Sequence, residues 1–241
     1  MKRVLIANAS SIFAKELRAE FFLKNLNTYL LDFESLSLFD DKNAEIKKYA
    51  NRFSKYKNIP KISMLMRIFI IKDVLKDYGF EVVNIHYSRW YYLMILKELA
   101  RSKLIVTFYG SDFYTTSDKI KNIQKPIYEK ADALTFTNPL TKESFLEFYG
   151  DFKDKSFVCR FGLKTLDYID KNRDKDKDEI KKALGYAEDK IIVTCGYNSS
   201  QAQQHSKIIK SILKLPNDML DKMQFIFPLT YGNMPYKEEV R

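Results

Sequence analysis

Short apolar runs recur along the chain with room for a helix between most of them: Val4 to Ala7, Tyr29 to Phe33, Val82 to His86, Leu104 to Phe108, Ala133 to Thr137 and Phe157 to Phe161. The stretches between them, such as SIFAKELRAEFFLKN, YYLMILKELARSK and LTKESFLEFYG, space apolar residues three and four apart, as amphipathic helices require. A run without polar alternation, such as LIVTF, suits a strand covered on both faces. Strands alternating with helices through right-handed crossovers give an α/β fold, a doubly wound and mostly parallel sheet. Such sheets bind ligands at the carboxyl ends of their strands. There the chain follows Phe108 with Tyr109, Gly110, Ser111 and Asp112. The polar segment from Ser35 to Lys61 reads as an insertion without clear strand character, carrying a helix near Ala44 to Lys57.

After Gly162 the pattern pauses in the sign-alternating run KNRDKDKDEIKK, which reads as a solvated linker and helix start. It resumes with a helix around Asp178 to Leu184, a strand Ile191 to Cys195, a tight turn at Gly196, a helix from Gln201 to Leu213 and a strand Phe225 to Thr230. Two strands and one helix are too few to close a core, because a doubly wound domain needs ~100 residues or more. The expected organisation is a Rossmann-like domain over residues 1–163, a charged linker and helix over 164–188, and the incomplete start of a second Rossmann-like domain over 189–241.

Composition narrows the function classes. Two cysteines, Cys159 and Cys195, fall in apolar runs and are expected as small core residues in a reducing compartment. His86 and His205 lack companions at ligand spacing, so no metal and no cofactor is expected. The opening MKRVLIANAS is too short in apolar residues for a signal peptide, and ISMLMRIFIIKDVL is broken by Arg67 and Lys72, so an integral membrane protein is not expected. The net charge of +10 is spread along the chain and accompanies no nucleic-acid signature, which argues against nucleic acid as a partner. An anionic membrane surface or an anionic substrate fits the charge better. In the segment from Lys61 to Tyr78, Lys61, Lys72 and Lys76 project to one side, while Met64, Ile68, Ile71, Val74 and Leu75 project to another that reads as core.

Several residues are candidates for a site. Ser200 and Gln203 match a capping box, which places a helix amino terminus at the end of a strand, where free amides and the positive dipole end suit a phosphate. Gly196 permits the turn, Asn198 tolerates unusual backbone angles, and Gln203, Gln204 and His205 add polar groups. An ordinary capped helix is the competing reading. Asp112 either caps a turn or meets substrate, and His86 lies at the end of its strand run near the same crevice. Arg160 offers a fork to a phosphate or pairs with an acidic neighbour.

In order and spacing, EVVNIHY, LIVTFYGSDFY, ADALTFTNP, RFGL and IIVTCGYNSSQAQQHSKII resemble the GT-B glycosyltransferases of the group-4-like kind, closest to bacterial enzymes of polysaccharide or lipid-linked glycan assembly. FPLTYG resembles a segment of Fuc4NAc transferases. The resemblance implies a cytoplasmic, metal-independent hexosyltransferase of surface polysaccharide synthesis, at the inner face of the membrane. Its partners would be a nucleotide-sugar donor, a glycan or lipid-linked acceptor and an anionic membrane touched peripherally. Tyr109 and Asp112 would be catalytic, with His86, Gly110 and Ser111 beside them on the acceptor side. Gly196, Asn198, Gln203, Gln204, His205 and Arg160 would surround the donor diphosphate, and Tyr231 and Gly232 would form a donor-side loop. The family's Glu-x7-Glu pair is missing from the sequence, so the chain is expected to be an incomplete form. The competing class is a non-catalytic basic α/β module that binds an anionic membrane or a partner enzyme.

Overall fold

The computed structural model describes residues 2–7, 12–32, 37–40, 42, 44–46, 48–49, 59–229 and 234–240. The chain divides into two compact units, Met1–Asp167 and Tyr168–Arg241. The first is built on an eight-stranded sheet in the order β4-β3-β2-β1-β5-β6-β7-β8. Its strands are β1 (Arg3–Ala7), β2 (Asn27–Asp32), β3 (Ser37–Phe39), β4 (Glu45–Ile46), β5 (Val82–His86), β6 (Lys103–Phe108), β7 (Ala133–Phe136) and β8 (Ser156–Val158). The helices between them are α1 (Ile12–Leu23), α2 (Pro60–Tyr78), α3 (Leu96–Leu99), α4 (Ser111–Tyr114), α5 (Asp118–Lys130) and α6 (Pro139–Tyr149). A 3-10 segment, Trp90–Ile95, leads into α3.

Every pairing from β2 across to β8 is parallel, with Val4 facing Thr28 on one side and Val82 on the other. The strand Leu104 to Phe108 therefore lies inside the sheet between β5 and β7. Leu104, Val106 and Phe108 enter the main core with Ile68, Ile71 and Val74 of α2 and Phe145 of α6. The opposite face of β6 is less apolar. There Thr107 Oγ1 donates to Asn84 Oδ1 at 2.8 Å and lies 2.8 Å from Thr135 Oγ1, which ties three strands together where a polar side chain would otherwise be stranded. Alternation along β1 divides the layers, since Leu5 and Ala7 join the main core while Ile6 packs with Ala14 of α1 and Leu30.

Local chemistry sets the element ends. Pro60 opens α2 and Gly79, at φ 57°, closes it by donating its amide to Leu75. Asn138 caps α6 by accepting from the Thr141 amide at 2.8 Å, with Pro139 in the first turn.

The structure departs from the sequence expectations in several places. The insertion after Phe33 contains strands: β3 and β4 extend the sheet antiparallel, with Leu38 fully buried and Asp40 accepting the Lys42 and Ala44 amides to make their turn. Residues 51–57 of the helix expected there lie outside the described residues, and Glu45–Ile46 is strand. The sixth run ends early, because β8 is an edge strand whose ladder stops with the Cys159 amide donating to Phe136, and Cys159 is exposed while Cys195 is buried. The last strand is displaced towards the amino end, as Pro228 has no amide to continue a ladder.

The second unit contains α7 (Lys164–Lys171, which begins in the first unit), α8 (Lys177–Ala183), β9 (Ile191–Thr194), α9 (His205–Ile212), α10 (Asn217–Leu220), β10 (Met223–Ile226) and α11 (Met234–Val240). β9 and β10 pair in parallel around α9, a single βαβ unit. Its buried side chains among the described residues are Cys195, Asn198, Ser199, His205 and Tyr236.

Candidate functional site

In the first unit the connection from β1 turns one way to β2 through α1, while β5, on the other side of β1, leads on to β6 and β7. That reversal opens a crevice at the carboxyl ends of β1 and β5. Four rings from four elements converge there. Phe13 of α1 stacks on Phe161 at 4.7 Å and 19°, and Tyr109 lies 4.8 Å from the same ring. His86, at the end of β5, places its ring centre 5.8 Å from Tyr109 and 6.4 Å from Phe161. Tyr109 Oη and His86 Nδ1 are 2.9 Å apart. Burial lowers the His86 pKa to about 4, so the imidazole is neutral near pH 7.

Asp112 is the clasp of this site. Its Oδ1 accepts from the Tyr109 and Gly110 amides at 3.0 Å each, and its Oδ2 accepts from the Ser88 amide at 3.1 Å. Those amides favour the anion, yet burial outweighs them and raises the carboxyl to about 6. Gly110 is needed because its φ of 97° is strained for other residues. Ser111 Oγ donates to Tyr87 Oη at 3.1 Å, and the Arg89 guanidinium covers the Tyr87 ring at 4.4 Å. Beside the rings is a cavity of about 270 Å³ lined by Phe13, Glu16, Glu20, Arg160, Phe161 and Lys164. Arg160, expected with the diphosphate group, thus lies on the first unit's own cavity wall.

In the second unit the polar candidates gather around the turn after β9, with one change of form. Ser200 Oγ accepts from the Ala202 amide, but the turn it caps is a 3-10 segment, Gln201–Gln203. Gln204 then adopts a left-handed conformation at φ 54°, and α9 begins at His205 rather than at Gln201. Asn198 Oδ1 accepts from the Ser200 amide at 2.9 Å. Gly196 has φ 76°, and a Cβ there would fall 2.7 Å from His205 Nε2 and 3.2 Å from Gln203 Oε1. The turn and the imidazole are therefore in close contact. His205 is fully buried, its ring 5.8 Å from both Phe227 and Tyr236, and neither nitrogen has a hydrogen-bond partner among the described residues. Gln204 is exposed on the rim. Tyr231 and Gly232 lie outside the described residues. Among the described residues no group of three or more His, Cys, Asp or Glu is placed to hold a metal ion.

A family model described as glycosyl transferase 4-like matches residues 3–138, more than half of the chain. The chain belongs to the glycosyl transferase 4-like family. The match runs from β1 through β7 and contains His86, Tyr109, Gly110, Ser111 and Asp112. Among solved structures, this family member is similar to a UDP-N-acetylglucosamine 2-epimerase from Rickettsia bellii, at 11% identity and TM-score 0.51, over 96% of this chain and 70% of that one. It is also similar to S. aureus MnaA in a co-structure with UDP, at 14% identity and TM-score 0.51, over 100% of this chain and 65% of that one. These likenesses show the fold, α/β of the GT-B type. No curated protein matches.

Not every residue of this crevice is legible in the sequence. Phe13 and Phe161 read as helix and strand residues, and Tyr87 and Arg89 carried no signal. Phe161 was hidden because β8 was expected to run through it. The nearby Gly162 was the available hint that the strand had ended.

Proposed function

We propose that this glycosyl transferase 4-like chain takes part in moving a sugar from a nucleotide-sugar donor to a glycan or lipid-linked acceptor, in surface polysaccharide synthesis at the cytoplasmic face of a membrane. The observation that carries the reading is that the family match covers Phe13, His86 and Tyr109, three of the four rings of the crevice, and the Asp112 loop beside them. In this reading residues 1–163 receive the acceptor. Phe13, Tyr109 and Phe161 offer ring faces to the C–H faces of a sugar, and the neutral His86 fixes the Tyr109 hydroxyl at the reacting end. Asp112 acts through the loop it holds, since both carboxylate oxygens are already engaged by amides. That geometry favours positioning over direct proton transfer.

The donor diphosphate meets the turn formed by Gly196, Asn198, Gln203, Gln204 and His205. A developing negative charge on the leaving diphosphate is stabilised by aligned amides and polar side chains, so the hexosyl transfer proceeds without a metal. UDP in the MnaA structure supports a nucleotide as the ligand class. The test is titration calorimetry with nucleoside diphosphates and UDP-sugars, using the chain and its variants. His205→Ala and Gln204→Ala are expected to weaken binding by roughly tenfold to a hundredfold, the scale of one hydrogen bond to a charged group. Asp112→Asn is expected to leave donor affinity intact. Undiminished donor binding in both carboxyl-unit variants would overturn the donor assignment.

A further inference from the structure

Between β5 and the Trp90–Ile95 segment the chain passes through Tyr87, Ser88 and Arg89, a connection held from several directions. The Tyr87 amide donates to the Thr107 carbonyl of β6 at 3.0 Å, and the Ser88 amide donates to Asp112 Oδ2 at 3.1 Å. Ser88 Oγ lies 3.0 Å from Tyr128 Oη of α5, and the Arg89 carbonyl accepts from the Tyr92 amide at 3.2 Å. These bonds fix Tyr87 at φ 66°, a left-handed conformation that a bulky side chain disfavours. Strain of this kind survives only where the surroundings over-determine it, and it clusters at ligand sites.

In this conformation the Tyr87 hydroxyl reaches the turn after β6, where it accepts from Ser111 Oγ at 3.1 Å. Its ring lies 6.1 Å from that of Tyr109 and carries the Arg89 guanidinium 4.4 Å from its centre. Tyr87 therefore joins Arg89 to the ring cluster of the crevice. Stacking on a ring face leaves the in-plane N–H edge of a guanidinium available to a carboxylate or a phosphate. Arg89 is half-buried and has no ion-pair partner among the described residues. Asp112, the carboxylate of this loop, has both oxygens engaged by amides. The cavity beside Phe161 differs, because there Glu16 and Glu20 stand with Arg160 and Lys164 and the charges offset one another.

We propose that Arg89 reads a negative charge on the saccharide that enters the crevice, either the carboxylate of an acidic sugar or a phosphoryl group on a sugar hydroxyl. Both present a pair of oxygens to two parallel N–H bonds. Half-burial against the Tyr87 ring strengthens the contact relative to open water, and a guanidinium gives up its weak hydration at little cost. One ring removed from Tyr109, the contact fixes which way the saccharide runs along the aromatic surface. The inference rests on the acceptor-side reading of the crevice and adds to it the acceptor's chemical class.

The test is a saturation-transfer NMR titration of the full chain with methyl glucuronoside, glucose 6-phosphate and the neutral methyl glucoside. The charged sugars are expected to bind at least roughly tenfold more tightly than the glucoside, the lower end of the scale for one hydrogen bond to a charged group. Arg89→Gln is expected to abolish that advantage and leave the glucoside unchanged. Arg89→Lys keeps the charge but loses the fork and the stack, so it should retain only part of the advantage. It also decides the matter should Arg89→Gln fail to fold, as judged by circular dichroism. The charged probe that loses more affinity in these variants names the group that Arg89 reads.

Equal affinity for charged and neutral sugars would overturn the proposal, as would charged-sugar affinities that both Arg89 variants leave unchanged. So would inorganic phosphate binding as tightly as glucose 6-phosphate, because the site would then serve a free anion. Phe161→Ala separates this inference from the reading beneath it, since losing the shared ring should weaken all three sugars. Sensitivity to Phe161→Ala with indifference to Arg89→Gln would remove the charge reading and keep the acceptor crevice. Absence of binding by all three sugars would remove both.

Discussion

Asp112 and His86 are coupled to pH with opposite signs over overlapping ranges. Burial raises the Asp112 carboxyl from 3.8 to about 6, so the folded chain keeps a proton that the unfolded chain gives up. Its stabilising contribution is present below about pH 4 and is lost as pH rises through about 6. A shift of roughly two units corresponds to about 3 kcal/mol. His86 behaves in reverse, since burial lowers its pKa from 6.5 to about 4 and the unfolded chain takes up the proton first. Its contribution is present above about pH 6.5 and is lost as pH falls towards 4, again by about 3 kcal/mol. In the wild-type protein the two contributions oppose one another across this window.

Separate substitutions should expose each contribution. With Asp112→Asn the His86 dependence is left uncompensated, and stability relative to wild type should rise by about 3 kcal/mol between pH 4 and 6.5. With His86→Gln it should fall by a similar amount over the same interval. The asparagine also turns an amide group towards the Ser88 N–H, but that offset is the same at each pH, so slopes decide the matter rather than absolute stabilities. Urea unfolding along a pH series, followed by circular dichroism, gives those slopes. Parallel curves for wild type and both variants would refute the reasoning. Carboxylates elsewhere titrate in all three proteins and cancel in the comparison.

Gly196→Ala should cost about 1–2 kcal/mol through backbone strain, and more as His205 is displaced by the new methyl group; Gly110→Ala should show the strain alone, since its nearest neighbour would be 3.5 Å away. Thermal unfolding of the two variants, with hydrogen exchange around α9, separates the effects. Asn138→Ala should destabilise the first unit by about 1 kcal/mol through loss of the cap on α6, and Asn138→Ser should recover most of it, as read by chemical denaturation. Phe161→Ala removes the ring that Phe13 and Tyr109 share, so it should raise the acceptor KM in a transfer assay while nucleotide affinity by calorimetry stays unchanged.

The parallel part of the first sheet was legible because each of its strands is a short apolar run followed by a helix-spaced stretch, and those two periods survive in any sequence that must bury such a sheet. β3 and β4 escaped because a three-residue strand and a two-residue strand are too short to show a period, and their pairing is decided by Leu38 entering the core and by the turn at Asp40. The loop after β6 announced itself through Gly110 and Asp112, whose side-chain types are uncommon at the end of a buried strand. His86 and Tyr109 were candidates beside it, but Phe13 and Phe161 were not, because the four rings come from four places in the chain and meet only once the sheet order is known. The outer face of α2 was also hidden. A helical projection separates Ile68, Ile71 and Val74 from the lysines, but it does not reveal that Leu65 and Phe69 share the lysines' side and are exposed among the described residues.

The place of β1 governs the order in which the first unit can assemble during synthesis. Of the strands of this sheet it leaves the ribosome first, yet it ends as an interior strand with β2 on one side and β5 on the other. Val4 cannot meet Val82 until the whole chain through α2 has been made, which takes several seconds at roughly 5–20 residues per second. Through that interval one edge of a strand that is apolar from Val4 to Ala7 lacks its neighbour. β5, β6 and β7 and their connecting helices emerge together and can close short loops among themselves, whereas the pairing that joins them to β1 has the higher entropic barrier. The nascent protein therefore passes through a stage in which the two halves of the sheet exist apart, and the seam between them, β1 against β5, is also the line on which the crevice later opens.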